Sequence, residues 1–235
     1  MHFLMKNCTK KNPIVESRSA PYTIAQSFTP ILGVKSYSKQ MLGAIDEVHG
    51  VPDITPLVIR KATLERGIEG EFDSFKREVR VSRDALHPLT TGFHEVGHAL
   101  DFLFLNVASG YLPRQGWASE IALKGGKGVL AEWVNLTYAS RPVSELYLAQ
   151  ASLDKVSEDY ELTLYYFDIR EIWARSYEQF IGQNCNDRDA RIEFSAKRRK
   201  TVRLGSRALR VYWTYKEFAP IEKEIRAIFR ALGWL

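Results

Sequence analysis

The sequence predicts a mainly helical α+β fold in which a small antiparallel or mixed sheet rests on a central helix carrying two histidines. Three observations predict it. Apolar residues recur at helical spacing at Phe93, Val96, Ala99, Leu100, Leu103 and Phe104. Short β-branched or alternating runs stand just upstream, at Leu57-Val58-Ile59 and between Glu71 and Ser82. Further helical stripes follow at Ile169 to Ile181 and Phe218 to Leu232. With 235 residues, 45% of them hydrophobic, the chain is long and apolar enough to bury a sizeable core. We divide it into an N-terminal arm, 1-30, and a single domain, 31-235.

The arm is polar and interrupted by Pro13, Pro21 and Pro30, and carries no visible chemistry. Its apolar run Phe3-Leu4-Met5 is too short for a signal-peptide core, and no stretch approaches the ~20 residues of a membrane span. The expectation is a cytoplasmic protein with no membrane association; export by a dedicated machine or packaging in a virion would leave no such mark. Cys8 and Cys185 are far apart and outside any C-x-x-C spacing, which argues against a disulfide framework or a cysteine zinc site.

Met41, Leu42, Ile45 and Val48 predict a packing helix between Ser36 and His49, with Ser38 as its cap and Gly50-Val51-Pro52 as its stop. The β-branched run Leu57-Val58-Ile59 ahead of a charged segment, and the alternation from Glu71 to Ser82 broken at Asp73-Ser74, predict two or three strands. Next comes the stretch with the most specific chemistry, Phe93-His94-Glu95-Val96-Gly97-His98-Ala99-Leu100-Asp101, for which Thr90 and Thr91 offer an N-cap. Histidines four apart stack on one helix face, so both rings reach one ion, and the glutamate after the first lies beside them. That is the H-E-x-x-H pattern of zinc hydrolases, in which Zn2+ acidifies water and the glutamate takes its proton. His94 and His98 are thus candidate ligands and Glu95 the candidate base. Gly97 inside this helix costs ~1 kcal/mol relative to Ala, which makes sense if another backbone or a substrate passes close to that turn. The alternative is a core helix with two hydrogen-bonded histidines.

Gly125-Gly126-Lys127-Gly128 lacks phosphate-loop spacing and is expected to be a mobile loop or a turn. A tetrahedral zinc needs a third protein ligand. Glu171 borders the stripe of Ile169, Ile172, Trp173, Tyr177, Phe180 and Ile181, and small Ala174 lets that helix approach the histidine helix closely. Glu171 is the expected third ligand.

His94 to Asp101, taken with Glu171-Ile172-Trp173-Ala174-Arg175-Ser176-Tyr177-Glu178, resembles the gluzincin type of zinc metallopeptidase. It is similar in outline to lethal-factor-like peptidases, and closer to the H-E-x-G-H-A-x-D plus E-x-x-A-R-x-x-E domains of phage and mobile-element polyproteins. The likeness covers about twenty-five residues in two blocks. It implies a zincin-like fold, Zn2+ on His94, His98 and Glu171, Glu95 as base, and a protein or peptide substrate. It also implies an edge strand just before the histidine helix, for which Glu78 to Ser82 is the candidate, a plain sheet strand being the alternative. Tyr165 or Tyr166 would donate to the oxyanion, as a tyrosine does in similar enzymes, unless it is a core residue. Lethal-factor-like enzymes carry an acid four residues after the third ligand, where this chain has Arg175. Our own expectation is that Asp101 or Glu178 orients a histidine and that Arg175 pairs with one of them, the alternative being a surface salt bridge.

A basic block runs from Arg188 to Arg210, followed by Tyr212, Trp213 and Tyr215. With the net charge of +5 it suggests a single-stranded nucleic-acid partner, or else a solvated helix face beside core aromatics. Ile221, Ile225, Ile228, Phe229 and Leu232, with Pro220 near the start, predict a closing helix. The expected activity is zinc-dependent hydrolysis of peptide bonds. The alternatives are a non-catalytic, zinc-stabilised structural or interaction protein of a phage or mobile element, and a nucleic-acid-binding accessory protein.

Overall fold

The computed structural model describes residues 34–50, 57–110 and 116–235, so the predicted arm, 1-30, lies outside the described residues. Among the described residues the chain is mainly helical with two small sheets, as an α+β fold requires. Helix α1 (Val34–Asp46) buries Tyr37, Met41, Ala44 and Ile45 along one stripe. Ser38 lies inside this helix and does not cap it. Three strands follow, β1 (Val58–Ala62), β2 (Gly70–Asp73) and β3 (Glu78–Ser82). The β2–β3 turn is tied by Asp73, whose carboxylate accepts from the backbone N–H groups of Phe75 and Lys76.

The sheet order is β1-β3-β2, with β1 parallel and β2 antiparallel to β3, so it is a mixed sheet. This corrects one expectation: Glu78 to Ser82 is the central strand, and the edge beside the histidine helix belongs to β2. Charges are tolerated in the centre because each of Glu78 and Arg80 reaches an opposite charge on a neighbouring strand. Glu78 pairs with Arg60 across β1, and Arg80 reaches Glu71 at 2.9 Å across β2.

The histidines lie on α2 (Pro88–Leu100), buried from Leu89 onward. The helix begins at Pro88, after His87, so Thr90 and Thr91 sit in its first turn and are not its cap. After Leu100 it loosens into a π turn, Asp101–Leu105, and ends in the single turn α3 (Asn106–Ala108). Helices α4 (Ala118–Gly125), α5 (Ala131–Tyr138), α6 (Arg141–Ala151) and α7 (Glu158–Phe167) follow. The glycine-rich stretch is a helix end and a turn: Gly126 stops α4 in the left-handed region at φ 58°.

Helix α8 (Ile169–Asn184) is buried over most of its length and crosses α2 closely. A methyl carbon on Gly97 would lie 3.1 Å from the Ala174 Cα, and the Trp173 indole donates to the Gly97 carbonyl at 2.9 Å. Gly97 is therefore the site of a close backbone approach. Helix α9 (Arg188–Arg198), the hairpin β4 (Thr201–Leu204) and β5 (Arg207–Arg210), and α10 (Tyr215–Ala231) complete the chain. A second apolar cluster under the hairpin joins Leu146, Phe194, Leu209 and Tyr212. Among the described residues no helix is long and apolar enough to cross a membrane.

Candidate metal centre

The α2–α8 crossing brings His94, His98 and Glu171 together, with one donor atom from each inside 4.8 Å of the others. His94 Nε2 donates to Glu171 Oε2 at 3.1 Å, and His98 Nε2 lies 3.2 Å from Glu171 Oε1. These three groups lie on a cleft of about 900 Å³ that Glu95, Tyr165, Tyr166 and Arg175 also line. Two imidazoles and one carboxylate converging from two buried helices are a donor set suited to zinc. The set fits, with one shortfall: His98 Nδ1 is buried and has no hydrogen-bond partner.

The charges here are tightly coupled. Burial disfavours charge on His94, but hydrogen bonding and charge from Glu171, then Glu178, outweigh it and push the imidazole up to about 9. Burial likewise opposes ionisation of Glu171, yet His94 and then His98 hold its carboxyl far below the usual range. Glu95 moves the other way, since burial raises it and the histidines only partly offset that. A carboxylate made more basic in this way is a better proton acceptor at neutral pH.

Glu178 is the residue that backs a histidine. Its Oε2 lies 3.3 Å from His94 Nδ1 and accepts from the Tyr212 hydroxyl at 2.7 Å, while its Oε1 meets Lys197 Nζ at 2.9 Å. Burial pushes this carboxyl up, but Lys197 and His94 more than compensate and leave it below the usual range. Asp101 does not take that role. Its carboxylate accepts from the Ser119 backbone N–H at 2.8 Å and the Ser119 hydroxyl at 2.6 Å, tying the first turn of α4 to the end of α2. Burial pushes Asp101 up to about 6, the Ser119 bonds pulling against it. Arg175 pairs with neither acid. Its Nη2 donates to the Tyr166 backbone carbonyl, and the guanidinium sits 5.5 Å from the Tyr166 ring centre.

Both candidate tyrosines reach the cleft from α7, which Asp168 separates from α8 by capping the latter through the Arg170 N–H. Tyr165 is half exposed as a residue, but its phenol end, desolvated in the cleft and beside the Glu171 carboxylate, is held protonated above its ordinary range. Tyr166 shifts the same way, mostly through burial. The cleft also exposes groups that sequence reasoning missed. Gly70 of β2 passes so close to α2 that a methyl carbon there would fall 2.8 Å from Glu95 Oε1. Lys197 belonged to the stretch expected to be solvated or to face nucleic acid, and its side chain turns inward to Glu178 instead, while Tyr212 is buried, as the alternative of core aromatics beside a helix face expected. Arg188 and Arg191 are exposed on α9, and Arg199 is exposed just past its end. The lone glycine before an alternating run was the one local hint for Gly70; Lys197 and Tyr212 left none, because their role depends on tertiary packing.

Comparison with protein-family models, curated proteins and solved structures found no match to this chain. Its function must be argued from the site.

Proposed function

We propose that the chain is a zincin-like, zinc-dependent metallopeptidase hydrolysing peptide bonds in a protein or peptide substrate. The observation that carries this is convergence: the His94, His98 and Glu171 donors, lying within 4.8 Å of one another, share a cleft with Glu95 and the edge strand β2. When bound by those three residues, zinc supplies Lewis acidity, acidifying water and polarising a carbonyl. The chain's own groups do the rest. Glu95, kept basic by burial, takes the proton of the attacking water and passes it to the leaving amine. Tyr165 stays protonated and donates to the carbonyl oxygen as negative charge gathers there. Backbone groups of β2 extend a ladder to an outstretched peptide and hold it across the cleft. Glu178, itself held by Lys197 and Tyr212, fixes the ring of His94.

Elemental analysis of untagged protein purified without added metal, followed by assay on a peptide mixture, tests the proposal. About one zinc per chain is expected, retained in Glu95→Gln with hydrolysis lost, and lost with hydrolysis in His94→Ala. Wild type that takes up no zinc on reconstitution would overturn the metal site. Cleavage by Glu95→Gln at the wild-type rate would overturn the general base.

A further inference from the structure

We propose that Arg175 is the anion-recognition residue of this cleft, and that the preferred substrates are peptides with a carboxylate beside the scissile bond. This rests on the peptidase function proposed above and specifies its substrate class. Arg175 follows Glu171 by four residues on α8, so the two side chains leave the same helix face one turn apart. It lines the cleft, yet only 3% of its surface is exposed. A guanidinium cannot shed its proton, and burying its charge without a counter-charge is costly.

The other inner cations of the cleft already have partners. Arg170 lies 2.5 Å from Asp168 and 3.4 Å from Glu120, and Lys197 lies 2.9 Å from Glu178. Arg175 has no carboxylate at ion-pair distance among the described residues; its Nη2 bonds a neutral carbonyl and its Nε is buried without an acceptor. The nearby acids are committed elsewhere. Glu171 lies between the two histidines, and Glu178 is shared by Lys197, Tyr212 and His94. The Tyr166 ring, 5.5 Å from the guanidinium carbon, offers it a π face but no compensating charge. The missing counter-charge therefore comes with the ligand. One planar guanidinium fork matches the single charge and two oxygens of a carboxylate. That carboxylate belongs either to an Asp or Glu side chain or to the C-terminus of the peptide.

The test is a proteome-derived peptide mixture cut by the zinc-loaded full chain and read by mass spectrometry. Cuts beside Asp or Glu identify the side-chain source, and cuts next to the peptide end identify the terminal source. Synthetic pairs then follow, Glu against Gln or free acid against amide, with kcat/KM favouring the charged member by about tenfold or more. In Arg175→Met that ratio falls to near one, whatever becomes of the absolute rate, and Arg175→Lys restores part of it. Should Arg175→Met fail to fold, the paired peptides on wild type and Arg175→Lys decide. Cleavage with no acidic or terminal preference overturns the proposal and leaves the peptidase function standing. If wild type cuts nothing, the peptidase function falls, and fluorescence anisotropy of the labelled Glu and Gln peptides judges the anion site: equal binding overturns it.

Discussion

Gly97 and Ala174 meet where α2 and α8 cross, and the contact is backbone against backbone: a methyl carbon on Gly97 would stand 3.1 Å from the Ala174 Cα. Both histidines flank Gly97 along α2, and Glu171 lies one turn from Ala174 on α8. The spacing of the three candidate ligands is thus set by a residue without a side chain.

Gly97→Ala should therefore destabilise the fold, although alanine is the better helix former. Overpacking against an unyielding backbone typically costs ~1–3 kcal/mol, against ~1 kcal/mol gained in helix propensity. Zinc should also be held less tightly as α8 backs away. Gly43→Ala in α1 is the control, because nothing lies within 4 Å of the added carbon; it should gain about 0.5–1 kcal/mol. Urea midpoints and a chelator competition measure both effects, and equal midpoints for the two variants would contradict the argument.

Gly70→Ala should separate chemistry from metal binding. The new carbon would fall 2.6 Å from Thr91 Cγ2 and 2.8 Å from Glu95 Oε1, so β2 must lift or Glu95 must turn. Misplacing a base by about an ångström costs up to ~100-fold, so we expect hydrolysis to drop at least about tenfold with zinc content unchanged. A variant with wild-type kinetics would show that β2 does not border the reacting groups.

Glu178→Gln should weaken zinc binding by ~10–100-fold, the usual cost of losing the acid behind a ligating histidine. Lys197→Met leaves the Glu178 carboxylate buried with one partner fewer and should destabilise the protein more than Glu178→Gln does. The double variant should be more stable than the sum of the single losses implies. Additive losses in thermal denaturation would show that the pair acts separately.

The buried His49 should make stability fall on acidification. Its Nδ1–H donates to the Gly50 carbonyl at 2.7 Å, its Nε2 lies 2.9 Å from the Tyr177 hydroxyl, and the rings of Phe180, Phe229 and Trp234 pack around it. Burial holds its pKa down at about 4, the Gly50 bond only partly opposing, against about 6.5 in the unfolded chain. The unfolded state thus takes up the proton first. Stability is complete above the unfolded value and declines as pH drops towards about 4, by about 3 kcal/mol in all. Denaturation of wild type and His49→Gln across that window checks the slope; parallel pH profiles would contradict it.

The sequence made the two helices that carry the candidate ligands legible because their signals are local. Four-residue histidine spacing and the apolar stripe around Glu171 need no knowledge of the rest of the chain, and Glu171 is where they pointed. Strand order was not legible: Glu78-Val79-Arg80-Val81-Ser82 alternates like a half-exposed strand, and only Arg60 and Glu71 on its neighbours explain how charges fit in the middle. Asp101 has the spacing of a residue near His98, but the chain leaves α-helical geometry there and Ser119 claims its carboxylate. Lys197 and Tyr212 are unreadable for the same reason, since each depends on a fold-back onto Glu178. One missed signal was local after all: Thr214 and Glu217 form a capping box that starts α10 at Tyr215, three residues earlier than the apolar pattern indicates.

The corner at Asp168 divides the cleft into parts of unequal local stability. Helix α8 is buried from Ile172 to Gly182, whereas Thr163 is the one buried residue of α7. Opening α8 would dismantle the core, so its central amides should exchange with solvent only on global unfolding, whereas α7 should detach at lower cost. Of the candidate ligands, His94 and His98 lie on buried α2 and Glu171 at the start of buried α8, whereas Tyr165 and Tyr166 lie on the more exposed α7. In hydrogen exchange the two halves of this cleft should behave as separate cooperative units, and an occupant spanning both would protect α7 far more than α8.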